Sequence, residues 1–119
     1  MTIRPAVLIA VLLSLAPALA QARATLTDAS PSPDSVAQGT PSAVELTFSD
    51  GVQPKSSRIV VKSADGRRVD GNDVHAVSDS KHLAVSLKIL LPGHYVVNWK
   101  AVGADSAPLT GSYGFTVSQ

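Results

Sequence analysis

Beyond Ala20, hydrophobic and polar residues alternate with a period of two along most of the chain. Val44, Leu46 and Phe48 alternate with Glu45 and Thr47, and Ile59 and Val61 continue the pattern after a loop. Leu83, Val85 and Leu87 are separated by Ala84 and Ser86. Tyr95, Val97, Trp99 and Ala101 fall on one side of a run whose other side carries Asn98 and Lys100. Tyr113, Phe115 and Val117 make the last such set. Side chains of a strand point alternately to its two faces, so each run predicts a strand with one buried face. No stretch beyond Ala20 shows the 3.6-residue period of an amphipathic helix.

Turn residues punctuate these runs. Pro31 and Pro33 lack the N–H that a strand ladder needs, so Ser30 to Ser35 breaks the pattern. Ala64-Asp65-Gly66-Arg67 predicts a hairpin turn with Gly66 at positive φ. Asp70-Gly71-Asn72 and Leu91-Pro92-Gly93 are further turn signals. Short strands at this spacing imply an antiparallel sandwich or barrel, with Trp99, Phe48 and Phe115 in its core. Tyr95, just after the Pro-Gly corner, resembles the tyrosine corner of immunoglobulin-like sandwiches, where the ring packs and the hydroxyl bonds back to the chain.

The first twenty residues follow a different logic. Arg4 supplies a positive charge, Ala6 to Leu15 is apolar, and Ala18-Leu19-Ala20 is a small-x-small site. This predicts a signal peptide over residues 1–20 and one mature domain over 21–119. Ala20-Gln21-Ala22 also fits a cleavage site, and a cut after Ala22 would make Arg23 the first mature residue. A periplasmic protein is expected, or else a secreted one, with no membrane insertion after cleavage. The chain of 119 residues has no cysteine, which removes both disulfides and a lipid-modified N-terminus. A net charge of +1 with scattered Lys and Arg and few aromatic residues argues against nucleic acid as a partner. Nothing marks an oligomer interface, and a monomer is expected.

Candidate chemistry is sparse. No Gly-x-Ser-x-Gly elbow is present, and Ser112 enters a strand, so a nucleophilic enzyme is not expected. The spacing of Asp65, Asp70, Asp73 and Asp79 does not match a calcium loop and suits turns. His75, His82 and His94 are the nitrogen ligands available to a metal. None forms a His-x-His pair, and a substitute metal site among them stays open.

Five segments in order resemble the CopC-type copper-resistance family of exported proteins. They are Ala24-Thr25-Leu26 to Ser30-Pro31, "PSAVELTF" from Pro41, Ser49-Asp50-Gly51-Val52 with Pro54, "LLPGHYVVNWKAVGAD" from Leu90, and "GSYGFTV" from Gly111. The resemblance implies an all-β, immunoglobulin-like Greek-key β-sandwich of about seven antiparallel strands. It also implies copper homeostasis, with Cu(II) bound by a mature N-terminal histidine and by the Asp and His of an Asp-Gly-His loop before the last strand. Here that loop reads Asp105-Ser106-Ala107, and Arg23 stands where the N-terminal histidine would be. Guanidinium offers no lone pair. The only methionine is Met1, so the methionine-rich loop that carries Cu(I) in some relatives is missing too. Asp105 is the one side-chain ligand position retained, and the implied copper site is degenerate, suited to Cu(II) rather than Cu(I). The expected function is copper homeostasis or resistance with weak or atypical copper binding. The alternative is a metal-free module of the same fold that contacts a protein partner such as a membrane copper transporter.

Overall fold

The structure is a computed structural model and describes residues 24–118. The expected signal peptide and Arg23 lie outside the described residues. Eight strands follow in chain order: β1 (Leu26–Ser30), β2 (Val36–Gln38), β3 (Ala43–Phe48), β4 (Arg58–Ser63), β5 (His75–Val77), β6 (Asp79–Ser86), β7 (Gly93–Val102) and β8 (Pro108–Ser118). A single 3₁₀ turn, Pro54–Ser56, precedes β4. The strands form two four-stranded sheets in the orders β1-β3-β6-β5 and β2-β8-β7-β4. The chain passes from one sheet to the other between β1 and β2, β2 and β3, β3 and β4, β4 and β5, and β6 and β7. This is the Greek-key sandwich of the immunoglobulin type.

Two details differ from the sequence expectation. The described residues form eight strands, not about seven, and β2 runs parallel to β8 (Val36 opposite Thr116). The chain leaves the first sheet after Ser30 and rejoins the edge of the second while still heading the same way, so its partnership there is parallel. The alternating runs themselves lie in β3, β4, β6, β7 and β8, except that β6 ends at Ser86 and leaves half-buried Leu87 just outside it.

Both inner faces meet in one core. Phe48, Phe115, Leu46, Ile59, Leu83, Val44, Val61, Val85 and Val97 are the largest side chains that it encloses completely. Burying each aliphatic or aromatic side chain contributes about 1.5–3 kcal/mol. Tyr95 is buried, stacks on Phe115 at a centroid distance of 5.7 Å, and donates from Oη to the Leu91 carbonyl at 2.6 Å. The tyrosine corner is therefore formed. Trp99 departs from the expected full burial. It shares the inward face of β7 and meets Phe48 edge-on at 5.6 Å, yet it is only half-buried. Its indole lies over Gly111, directly opposite on β8, where an added Cβ would fall 2.4 Å from the ring. The position is close to an edge of the sandwich, beside Leu26 and Tyr113, and the open flank leaves part of the ring in water.

The segment between β4 and β5 closes the opposite edge. Asp70 is buried there with its carboxylate fully enclosed. It accepts from the N–H groups of Val61 (2.8 Å) and Asn72 (2.9 Å) and from Arg68 Nε at 2.9 and 3.0 Å. Burial alone would raise its pKa. The Arg68 guanidinium and the two main-chain donors outweigh that and hold it below the ordinary carboxylate range. Asn72 has a φ of 56°, so the turn expected at Asp70-Gly71-Asn72 is present, and its acid is an internal fastener.

Candidate functional site

At one end of the sandwich the loop after β3 and the loop between β7 and β8 face each other across a cleft of about 290 Å³. Its lining is Ala24, Asp50, Gly51, Gly103, Ala104 and Asp105. Main-chain bonds build both walls. Gln53 N–H donates to Val102 O at 2.7 Å, and the Gln53 side chain reaches Gly103 O at 2.7 Å. Val52 N–H donates to Ser80 O at 2.9 Å, and Gly51 backs onto the Ser80 hydroxyl so closely that a Cβ would collide with it. The start of β1 is held at the same place. Ser49 and Thr25 exchange N–H bonds of 2.9 Å, one to the Thr25 carbonyl and one to Ser49 Oγ.

The Asp105 loop is a tight turn. Ser106 N–H bonds Gly103 O at 2.9 Å, Gly103 N–H bonds Ala107 O at 3.1 Å, and Ser106 has a φ of 65°. Asp105 Oδ1 accepts from the Ala107 N–H at 3.0 Å. One carboxylate oxygen thus stabilises the loop, as Asp does in many turns, while the side chain lines the cleft. Asp50 is the second exposed acid of the cleft. The sequence reading gave it no role. Its signal was topological: β3 and β7 run in the same direction in facing sheets, so an acid just past the end of each arrives at the same end of the molecule.

The three histidines do not join this lining. His94 is at the start of β7, about 27 Å of extended strand from Val102. Its Nδ1 is 3.4 Å from Thr116 Oγ1. His82 has Nδ1 2.8 Å from Asp79 Oδ1, an interaction that lowers the Asp79 pKa, and His75 has Nδ1 2.7 Å from Asp73 O. His75 and His82 occupy adjacent strands on the outer face of the first sheet, each with its own acceptor. Among the described residues, no three His, Cys, Asp or Glu side chains are grouped to hold a metal ion. What the cleft offers a cation is carboxylate oxygen. Cu(II) prefers nitrogen-rich tetragonal sets, and no imidazole is among the described residues that line this cleft.

Residues 26–118 match the CopC domain family, and the chain belongs to it. It is 32% identical over 100 residues to the copper transport protein CutJ of Bacillus subtilis (strain 168), across 82% of this chain and 18% of that one. The chain thus spans less than a fifth of that relative's length. It is also 32% identical over 110 residues to copper resistance protein C of Pseudomonas syringae pv. tomato, across 87% of this chain and 86% of that one. Among solved structures it is similar to CopC from Methylosinus trichosporium OB3b, with a TM-score of 0.76, 30% identity, and 81% and 94% of the two chains covered. It is likewise similar to PcoC, a methionine-rich copper resistance protein from Escherichia coli, with a TM-score of 0.73, 29% identity, and 82% and 100% covered. Unlike a methionine-rich protein, this chain has one methionine. No helix among the described residues is long and apolar enough to cross a membrane.

Proposed function

We propose that this protein is a non-enzymatic, periplasmic copper-homeostasis protein that takes Cu(II) as weakly held cargo in the cleft between Asp50 and Asp105. The observation that carries the reading is the convergence of these two acids on a cleft walled by Ala24, in a CopC domain. Ala24 brings the start of the mature chain to the cleft. After cleavage following Ala22, the amine of residue 23, one residue before Ala24, becomes a nitrogen donor. One amine and carboxylate oxygens fall short of the several nitrogens that tight Cu(II) binding requires. Asp105 is the ligand and loop-former, and Asp50 the second oxygen donor. The family relationship to a copper transport protein of far greater length favours a second component. A separate membrane copper-transport protein would receive the ion that a weak site releases easily.

The test is a competition titration against a chelator of known Cu(II) affinity, on protein with a verified N-terminus. Wild type should bind one Cu(II) weakly, and Asp105→Ala and Asp50→Ala should each weaken it further. A variant with both Arg23→His and Ala107→His should gain affinity by orders of magnitude. Wild-type binding as tight as that variant's would refute the weak-cargo reading. Binding untouched by both alanine changes would place copper elsewhere.

A further inference from the structure

Among the described residues three large hydrophobic side chains are exposed, and two of them share the loop between β6 and β7. Ile89 is 89% exposed and Leu91 70%, while Leu90 between them is buried. The alternation turns Leu90 into the core and its two neighbours outward. Hydrogen bonds hold the loop in this form. Leu87 N–H donates to Ser42 O and Lys88 N–H to Val69 O, both at 2.9 Å. The Leu90 carbonyl accepts from Thr40 Oγ1 at 3.3 Å, and the Leu91 carbonyl from Tyr95 Oη at 2.6 Å. A loop fastened at residues 87, 88, 90 and 91 has little freedom to fold its two outer aliphatic side chains away.

Beside the loop lies a cleft of about 350 Å³, shared with the turn that follows β4. Arg67, Arg68 and Lys88 are the charged residues of its lining, which includes no carboxylate, and Ile89 and Leu91 line it too. Two exposed acids in neighbouring turns are engaged locally. Asp65 accepts from Ser63 Oγ and is 3.9 Å from Arg67 Nη2. Asp73 accepts from the Ser86 N–H at 2.8 Å and from Ser86 Oγ at 2.6 Å. Arg68 holds the buried Asp70 through Nε, and Lys88 has no ion-pair partner among the described residues. An exposed aliphatic pair rimmed by cations is the kind of surface that marks a contact site.

We propose that this end of the sandwich rests on an anionic phospholipid surface. Arg67, Arg68 and Lys88 take the headgroup phosphates, and Ile89 and Leu91 enter the boundary between headgroups and acyl chains. The shape favours a bilayer over a protein partner. The two aliphatic side chains project from the loop, so a protein would need a socket cut to fit them, whereas lipid closes around any projection. The rim also lacks an exposed Trp, Tyr or Met, the residues that anchor protein interfaces. Two side chains and three cations do the work of one short lipid anchor at most, so adsorption is weak and reversible. This qualifies the expectation of no membrane insertion: two side chains enter the interface, and no segment crosses. Lys88-Ile89-Leu90-Leu91 is too short to announce itself in sequence, and only the fold shows which of its side chains face out. The cleft with Asp50 and Asp105 is at the other end of β7, about 30 Å of extended strand away, and it stays open to solvent when the tip is seated. The inference therefore does not depend on copper.

The test is co-sedimentation of the mature protein with vesicles of phosphatidylcholine, alone or mixed with an equal part of phosphatidylglycerol. The mixed vesicles should bind it, and the neutral ones should bind it roughly tenfold or more weakly. Binding should fall as salt rises. Ile89→Ser and Leu91→Ser should each weaken binding roughly tenfold, and Lys88→Glu by a similar factor. Lys100→Glu, the same charge change near the far end of β7, should alter it far less. All four side chains are exposed, so the circular dichroism spectrum should not change. If a variant does not fold, a second measurement decides. The chain has no cysteine, so a polarity-sensitive fluorophore can be attached through Leu91→Cys or through Lys100→Cys. On addition of mixed vesicles its emission should shift to the blue at position 91 and stay unchanged at position 100. Binding indifferent to Ile89→Ser, Leu91→Ser and Lys88→Glu, an equal loss on Lys100→Glu, or a blue shift absent at position 91 would each overturn the proposal. So would no binding to mixed vesicles at about 1 mM lipid, which would leave the tip to a protein partner.

Discussion

Asp70→Asn is expected to cost about 2–3 kcal/mol of folding free energy at neutral pH. The substitution keeps the size and shape of the side chain and changes only its charge and one acceptor. In the native protein both oxygens are fully enclosed and receive donors from Val61, Asn72 and Arg68. An amide has one acceptor oxygen, so its NH₂ must face either the Val61 or the Asn72 N–H. That leaves a buried donor without a partner, worth about 1–3 kcal/mol. The lost ion pair adds little, because Arg68 is 36% exposed and turns to water. Arg68→Gln should accordingly cost less than Asp70→Asn, while Asp70→Ala, which strands every donor, should cost about 3–5 kcal/mol. The pH dependence has a definite sign. The folded pKa of Asp70 is depressed, so its contribution is present above the unfolded value of about 3.9 and is lost as pH falls through the folded value. Urea unfolding at neutral pH and at a series of pH values below about 4 measures both effects, and the asparagine variant should lack this component of the acid sensitivity. A cost below about 0.5 kcal/mol with an unaltered acid profile would refute the fastener, and a larger cost for Arg68→Gln than for Asp70→Asn would show that the ion pair leads.

Trp99→Ala should cost about 2–3 kcal/mol by denaturant unfolding, below the upper range for a fully buried aromatic, since the ring is half-buried; a loss under about 1 kcal/mol would mean that its contact with Phe48 contributes little. Tyr113 has a buried hydroxyl with no hydrogen-bond partner among the described residues, and burial pushes its pKa up to about 12. Because the folded value lies above the unfolded one of about 10, its contribution is present below that pH and is lost as pH rises through the folded value; spectrophotometric titration should show one tyrosine ionising late. Tyr113→Phe should leave stability unchanged or raise it by up to about 1 kcal/mol, and a clear loss would reveal a partner for the hydroxyl.

The long strands were legible because each buries one face: Val44, Leu46 and Phe48 in β3, or Val97 and Ala101 in β7, carry the alternation that burial demands. β2 and β5 have three residues each and are held by main-chain bonds to a neighbour. Three residues cannot display a period, so nothing in Val36-Ala37-Gln38 or His75-Ala76-Val77 distinguishes strand from loop. The burial of Asp70 was hidden for another reason. Residue type reports polarity, and only the fold supplies the Val61 N–H that makes an enclosed carboxylate tolerable. Asp105 was found by resemblance, whereas Asp50 became a candidate only when two loops far apart in sequence met at one cleft.

β8 comes last in chain order yet sits inside its sheet, between β2 and β7. Synthesis delivers a chain from its N-terminus, so the piece that joins the two sides of that sheet is the last of the described strands to arrive. Until it does, β2 has nothing to pair with, and Tyr95 lacks the Phe115 ring on which it stacks. Every earlier strand must wait with apolar surface uncovered. The domain therefore cannot lock until that strand has been made. This late closure makes the last strand the step at which folding outruns aggregation or fails to.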